Sequence, residues 1–191
     1  MILYPNAKIN IGLKVLNKRE DGFHNIDSIM QMIDLYDYLF IGYRRSEVTK
    51  INLTGNSTDI PYNEKNLVYK AVELYLKRFQ IDNVEIDIYI EKNIPVSAGL
   101  AGGSTDAAGA LYGLNLLFKK TDKEELNELC AILGSDLNVC LNGGCVHATS
   151  RGEITRKLED IKSSVSLIKP KGLGISASEA YRKYSFKDNY E

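Results

Sequence analysis

"PVSAGLAGGSTDAAGAL", Pro95 to Leu111, sets four glycines and five alanines around Ser104, Thr105 and Asp106. Glycine is costly to order, so such a run predicts unusual backbone angles or close approach by another group. Just before it, "VEIDIYI" alternates Val84, Ile86, Ile88 and Ile90 with Glu85, Asp87 and Tyr89, the period of a strand. Beyond it, Ala107, Ala108, Ala110 and Leu111 continue a helix that starts near Ser104. The stretch therefore joins a strand to a helix. A helix N-terminus offers unpaired N–H groups and partial positive charge, and glycines ahead of it remove the Cβ atoms that would hold an anion away. Gly99, Gly102 and Gly103 followed by Ser104 and Thr105 fit a phosphate cradle. No Gly-Lys-Ser/Thr ends the loop as in a Walker A motif, and the glycine spacing is not G-x-G-x-x-G. The plainer reading of the same residues is a tight turn packed against a crowded neighbour.

Working outward, Ala7 to Leu13 reads as a half-buried strand with Ala7, Ile9, Ile11 and Leu13 inward and Lys8, Asn10 and Gly12 outward. "NKREDGFH" is a turn broken at Asp21-Gly22, with strands expected near residues 25–34 and 38–43. "NLVYKAVELYLKRF" is an amphipathic helix whose apolar face carries Leu67, Val68, Ala71, Val72, Tyr75, Leu76 and Phe79. Another helix is predicted from Lys123 to Leu133, with Gly134 in left-handed angles at its end. "GCVHATSRGEITRKL" reads as a hairpin turning at Arg151-Gly152, and "SVSLIKP" as a strand stopped by Pro170. Ser176 and Glu179 form a capping box that starts one more helix.

The chain has 191 residues, 24 Lys+Arg against 25 Asp+Glu, and a net charge of −1. That balance gives no broad attraction to nucleic acid or an anionic membrane, so any polyanion must be held locally. No apolar run has the length of a membrane span, and the start lacks a signal peptide's layout. Cys130, Cys140 and Cys145 are odd in number and lack CxxC spacing. They read as buried reduced thiols of a cytoplasmic protein.

Pro95-x-x-x-Gly99-Leu100-x-Gly102-Gly103-Ser104 resembles the second motif of the GHMP small-molecule kinases. The longer "PVSAGLAGGSTDAA" is similar to one branch of them, the 4-diphosphocytidyl-2-C-methyl-D-erythritol kinases. "AKINIGLKVLNKREDGFHNIDSIMQMIDL" resembles that branch's opening, and "GSDLNVCLNGG" its third stretch, in the same order along the chain. The resemblance implies an α+β fold like a ribosomal-protein domain, a mixed sheet with helices on one side and a left-handed βαβ crossover. It implies an ATP-binding domain over residues 1–158 and the beginning of a second α/β domain over 159–191. It also implies transfer of the ATP γ-phosphate to the 2-hydroxyl of a cytidine-diphosphate alcohol in non-mevalonate isoprenoid synthesis. Mg²⁺ should accompany the nucleotide, and the sequence does not name its ligands.

By the same resemblance, Asp136 is the general base and Lys8 its electrostatic partner. Residue by residue, Pro95, Val96, Ser97, Ala98, Gly99, Leu100, Ala101, Gly102, Gly103, Ser104 and Thr105 wrap the phosphates. Asn66, Leu67 and Val68 lie on the adenine side, and Lys92 lies beside the nucleotide. Asn10, Phe23, His24 and Tyr181 take the acceptor, His24 bonding the cytosine while Phe23 and Tyr181 sandwich it. From the residues alone, Lys8 and Lys92 are equally solvated charges, Asn66 a helix cap, His24 a turn histidine and Asp136 a carboxylate at a helix start. His147 carries no motif and reads as structural. Asn138-Val139-Cys140 stands where Pro-Phe-Phe is commoner in the branch. The branch's third glycine-rich motif has no counterpart here, which leaves a second expectation of a ligand-binding fragment with poor turnover. Another GHMP kinase, or an RNA-binding module of similar fold, completes the alternatives.

Overall fold

Strand β6 (Val84–Glu91) buries Val84, Ile86, Ile88 and Ile90 on one face, as its alternation predicts, and is the spine of the first sheet. The computed structural model describes residues 1–170, 174, 179–181 and 184. Beside β6 run β4 (Tyr38–Arg45), antiparallel, and β5 (Lys50–Gly55), parallel, while the short β1 (Ile2–Leu3) pairs with β4. The parallel pair needs a crossover, supplied by helix α1 (Leu67–Arg78). Asn66 starts α1 by accepting the Val68 N–H at 2.8 Å, and Lys77 and Arg78 suit the negative end of its dipole.

Helix α2 (Gly102–Phe118) lies beside α1 and over the sheet. Ala107, Ala108, Ala110 and Gly113 keep its inner face small enough for close contact. A Cβ at Gly113 would stand 2.7 Å from Ile41 Cδ1 and 2.8 Å from Leu3 Cδ1. Gly113→Val should therefore lose about 1–3 kcal/mol by overpacking, read as a lower denaturation midpoint. An unchanged midpoint would mean that the helix-sheet contact yields freely.

The second sheet is wholly antiparallel, in the order β2 (Asn6–Lys18), β3 (His24–Tyr36), β7 (Cys145–Ser150), β8 (Ile154–Leu158). Helices α3 (Lys123–Leu133) and α4 (Asp136–Asn142) complete the layer with α2. One large apolar core lies between the first sheet and α1, α2 and α3; Ile26, Met30, Val139, Val146 and Ala148 form a smaller one. Ala7, Ile94 and Leu100 make a third cluster, which pins the glycine loop against β2.

Three expectations change. In β2 the pairing slips between Asn6 and Lys8 and again between Asn10 and Gly12. Each slip breaks the period of two, so Lys8 is buried while Ile11 and Leu13 are exposed. Gly134 does end α3, but at φ 166°, ψ 159°, in extended rather than left-handed geometry. Ser164 to Pro170 is not a strand, and Val165, Leu167 and Ile168 are exposed. Alternation alone does not make a strand without a partner edge, and among the described residues none pairs with it. Strand β1 is only two residues long, and β5, in which Ile51 and Leu53 alternate with Lys50, Asn52 and Thr54, was passed over in the sequence. Ser176 lies outside the described residues, and residues 179–181 are helical.

Candidate active site

The loop between β6 and α2 is held in an unusual backbone. Positive φ recurs at every second residue: Ser97 (53°), Gly99 (73°) and Ala101 (59°). Such alternation turns successive N–H groups toward one concave side, a nest for an anion. Gly99 takes its angle without strain, whereas Ser97 and Ala101 are held in theirs. Ala101 is the residue before α2 and gives no side-chain cap. Among the described residues, the N–H groups of residues 99–104 donate to no protein acceptor. Leu100 is turned inward, and its carbonyl accepts the Lys8 N–H at 3.1 Å. That bond brings strand β2 under the loop.

Loop and strand share a cleft of about 910 Å³. Its wall includes Pro95 through Ser104, Lys8, Asp136, Lys92, Asn66 and Leu67. The Lys8 ammonium is 3.7 Å from Asp136 Oδ2, with Lys8 buried and the carboxylate a third exposed. Lys8 also donates to Asn10 Oδ1 at 2.8 Å, Asn10 donates to Ser28 Oγ at 2.9 Å, and Ser28 to the Gly12 carbonyl at 2.7 Å. This relay fixes the ammonium's position. Asp136 opens α4, which is tied down along its length by Asn138 and Asn142, both donating to Asn127 Oδ1 at 3.0 Å. Asn138, in place of proline, thus joins α4 to α3.

Lys92 is not a solvated charge. It is buried and donates to Asp37 and, at 3.0 Å, to Asp106. Asp37, between β3 and β4, is fully buried and also accepts the N–H of Ile94 at 2.8 Å. Burial pushes the Asp106 carboxyl up to about 7; Lys92 pulls against this and Asp37 adds to it. Asn66 has both ends of its amide engaged, as the α1 cap and by donation to the Pro61 carbonyl at 2.6 Å. Val68 faces the core, and Thr105 is buried beneath the loop.

At the far end, Phe23 is exposed and carries the Arg151 guanidinium over its ring at 5.0 Å. His24 stacks on Tyr181 with ring centroids 5.6 Å apart, too close to admit a third ring between them. Burial raises the Tyr181 hydroxyl's pKa and the Asp136 charge adds to it, so this aromatic end lies within reach of Asp136's field. His147 bonds Asp27 at 2.8 Å, a structural contact. The three cysteines are unpaired with one another, and burial pushes the Cys130 thiol up to about 12.

A profile described as "GHMP kinases N terminal domain" matches residues 66–148, from the α1 cap to β7. Over those residues the chain is similar to a GHMP kinase N-terminal domain. Two relatives named 4-diphosphocytidyl-2-C-methyl-D-erythritol kinase lie close to it in sequence. The one from Prochlorococcus marinus is 41% identical over all of this chain and 61% of its own length. The one from Syntrophomonas wolfei is 42% identical over 96% of this chain and 63% of its own. The chain thus spans about three fifths of the length of these relatives. A crystal structure of 4-(cytidine 5'-diphospho)-2C-methyl-D-erythritol kinase superposes with TM-score 0.68 at 34% identity, covering 83% of this chain and 55% of that one. Methanococcus jannaschii mevalonate kinase shares the fold, with TM-score 0.62 at 18% identity over 83% of this chain and 56% of that one.

Of the residues expected at the site, Pro95 through Ser104, Lys8, Asp136, Asn66, Leu67 and Lys92 meet at one cleft, whereas Thr105, Val68, Asn10, Phe23, His24 and Tyr181 are not among its lining residues. Three participants escaped the sequence reading: Asp37, Asp106 and Ser28. Asp106 stood inside the quoted motif, two residues beyond Ser104. Lys169 was also missed; it donates to the Val96 carbonyl at 2.5 Å and lines the cleft beside Ile168 and Pro170.

Proposed function

We propose that this chain is part of an ATP-dependent kinase that phosphorylates the 2-hydroxyl of 4-diphosphocytidyl-2-C-methyl-D-erythritol in the cytoplasm. The observation that carries the reading is the Lys8–Asp136 pair, 3.7 Å apart, on the wall of the cleft that the glycine loop also lines. Phosphoryl transfer needs positioning, charge neutralisation and a group to take the acceptor's proton. The nest and the start of α2 receive the phosphates. Asp136, partly open to the cleft, accepts the hydroxyl proton, and Lys8 keeps it ionised and stabilises charge developing on the attacking oxygen. The exposed Phe23 face, His24 and Tyr181 receive the cytosine after Tyr181 and His24 separate, and Asn10 holds Lys8 in place. On this reading residues 1–158 are the ATP-binding domain, and 159–191 belong to the beginning of a C-terminal domain.

Bound Mg²⁺ offsets phosphate charge. Among the described residues no group of three His, Cys, Asp or Glu side chains could hold a metal ion, so the donor set suits an ion carried in by the nucleotide. Nucleic acid has little to attract it at a net charge of −1, and among the described residues no helix is long and apolar enough to cross a membrane. The test is a coupled ADP-release assay on the intact protein with a panel of alcohols: the cytidine-diphosphate acceptor, mevalonate and homoserine. Turnover with the first alone supports the reading. Preference for either of the others would assign the protein to a different GHMP activity.

A further inference from the structure

Beneath the first turn of α2, one buried ammonium serves two buried carboxylates. Lys92 is 6% exposed, Asp37 0% and Asp106 2%. The two acids are not equally supported. Asp37 accepts two backbone N–H groups, from Asn93 and Ile94, as well as Lys92. Asp106 accepts from Lys92 on Oδ2, while its buried Oδ1 has no partner among the described residues. Asp106 nevertheless lines the nucleotide cleft, and a Cβ on Gly102 would stand 3.0 Å from Lys92 Nζ, so the cluster lies directly against the phosphate loop.

We propose that Asp106 is a proton site coupled to the cleft: it takes up a proton on Oδ1 when nucleotide phosphates settle on the loop, and releases it when they leave. The inference rests on the reading of the cleft as a nucleotide site. With Asp106 ionised, the cluster holds two negative charges against one positive, beside a nest that must receive an anion. Further negative charge there disfavours the ionised carboxyl. The other charges around it are Lys8 on β2, Asp136 on α4 and Lys65 before α1, all on the cleft wall, while the Cys140 thiol of α4 contacts Thr105. Burial already brings Asp106 to about 7, so a modest perturbation changes its occupancy near neutral pH. A proton on Oδ1 leaves Oδ2 to accept from Lys92, and the cluster becomes neutral.

The experiment is calorimetric titration of the intact protein with a magnesium-bound, non-hydrolysable ATP analogue at pH 7.5, in buffers of different ionisation enthalpy. Wild type should take up on the order of half a proton on binding, and its affinity should weaken about three- to tenfold per pH unit above neutrality. Asp106→Asn should show no uptake and a flat affinity profile. Equal uptake by both proteins, or none by wild type, overturns the proposal. Absence of any binding by wild type would overturn the nucleotide reading itself, which makes the two failures distinguishable. Should Asp106→Asn not fold, the Asp106 carboxyl carbon of wild type followed by NMR gives the same answer: its midpoint rises on nucleotide binding, or the proposal is wrong.

Discussion

Asp136→Asn in the intact protein should lower the rate of phosphoryl transfer by about 10²- to 10⁴-fold while leaving nucleotide affinity within a few-fold of wild type. Asparagine keeps the shape of the side chain at the head of α4 but cannot accept the hydroxyl proton. Lys8 then loses its ionic partner and keeps Asn10, so its position is retained. Rate and affinity therefore separate. Single-turnover measurement of the chemical step, with affinity measured independently, distinguishes the outcomes. A variant that transfers at the wild-type rate removes Asp136 from the role of base.

Lys92→Met should destabilise the fold by about 3–5 kcal/mol, because it leaves two buried carboxylates without their cation. The loss should depend on pH with a definite sign. In wild type the folded-state pKa of Asp106 is raised to about 7 from an ordinary 3.8. Between those values the folded protein holds a proton that the unfolded chain has released. Stability from this group is therefore full below the unfolded value, and falls as pH rises through the window to the folded one. Removing Lys92 takes away the attraction that opposes the upward shift, so the window widens and the deficit is largest in mild alkali. Denaturant midpoints for wild type and variant between pH 5 and 8.5 should diverge as pH rises. Parallel curves, or a variant as stable as wild type, would contradict the buried cluster.

The strand-to-helix loop was legible because its spacing is local and its motif is dense in special residues, whereas Lys8 and Asp136 were singled out only by the resemblance. Gly99 demands a left-handed angle, and Asp136 stands at a helix start; both follow from neighbours in the chain. Asp37 and Asp106 were not legible, because a buried charge differs from a surface one only through a partner distant in sequence. Lys92 and Asp37 are 55 residues apart. Strand β2 fails for a different reason. Its alternation is real in the letters, but two register slips against β3 decide which side chains reach the interior, and Lys8 is buried as a result. Ser164 to Pro170 shows the converse: a strand-like pattern that, among the described residues, has no edge to pair with.

A crystal structure of the intact protein with a bound non-hydrolysable ATP analogue measures the account's main geometric proposal directly. The analogue's phosphates should lie on the backbone N–H groups of residues 99–104, with the terminal one facing Asp136 across a gap that fits one hydroxyl. Phosphates bound elsewhere, or a terminal phosphate turned away from Asp136, would contradict it.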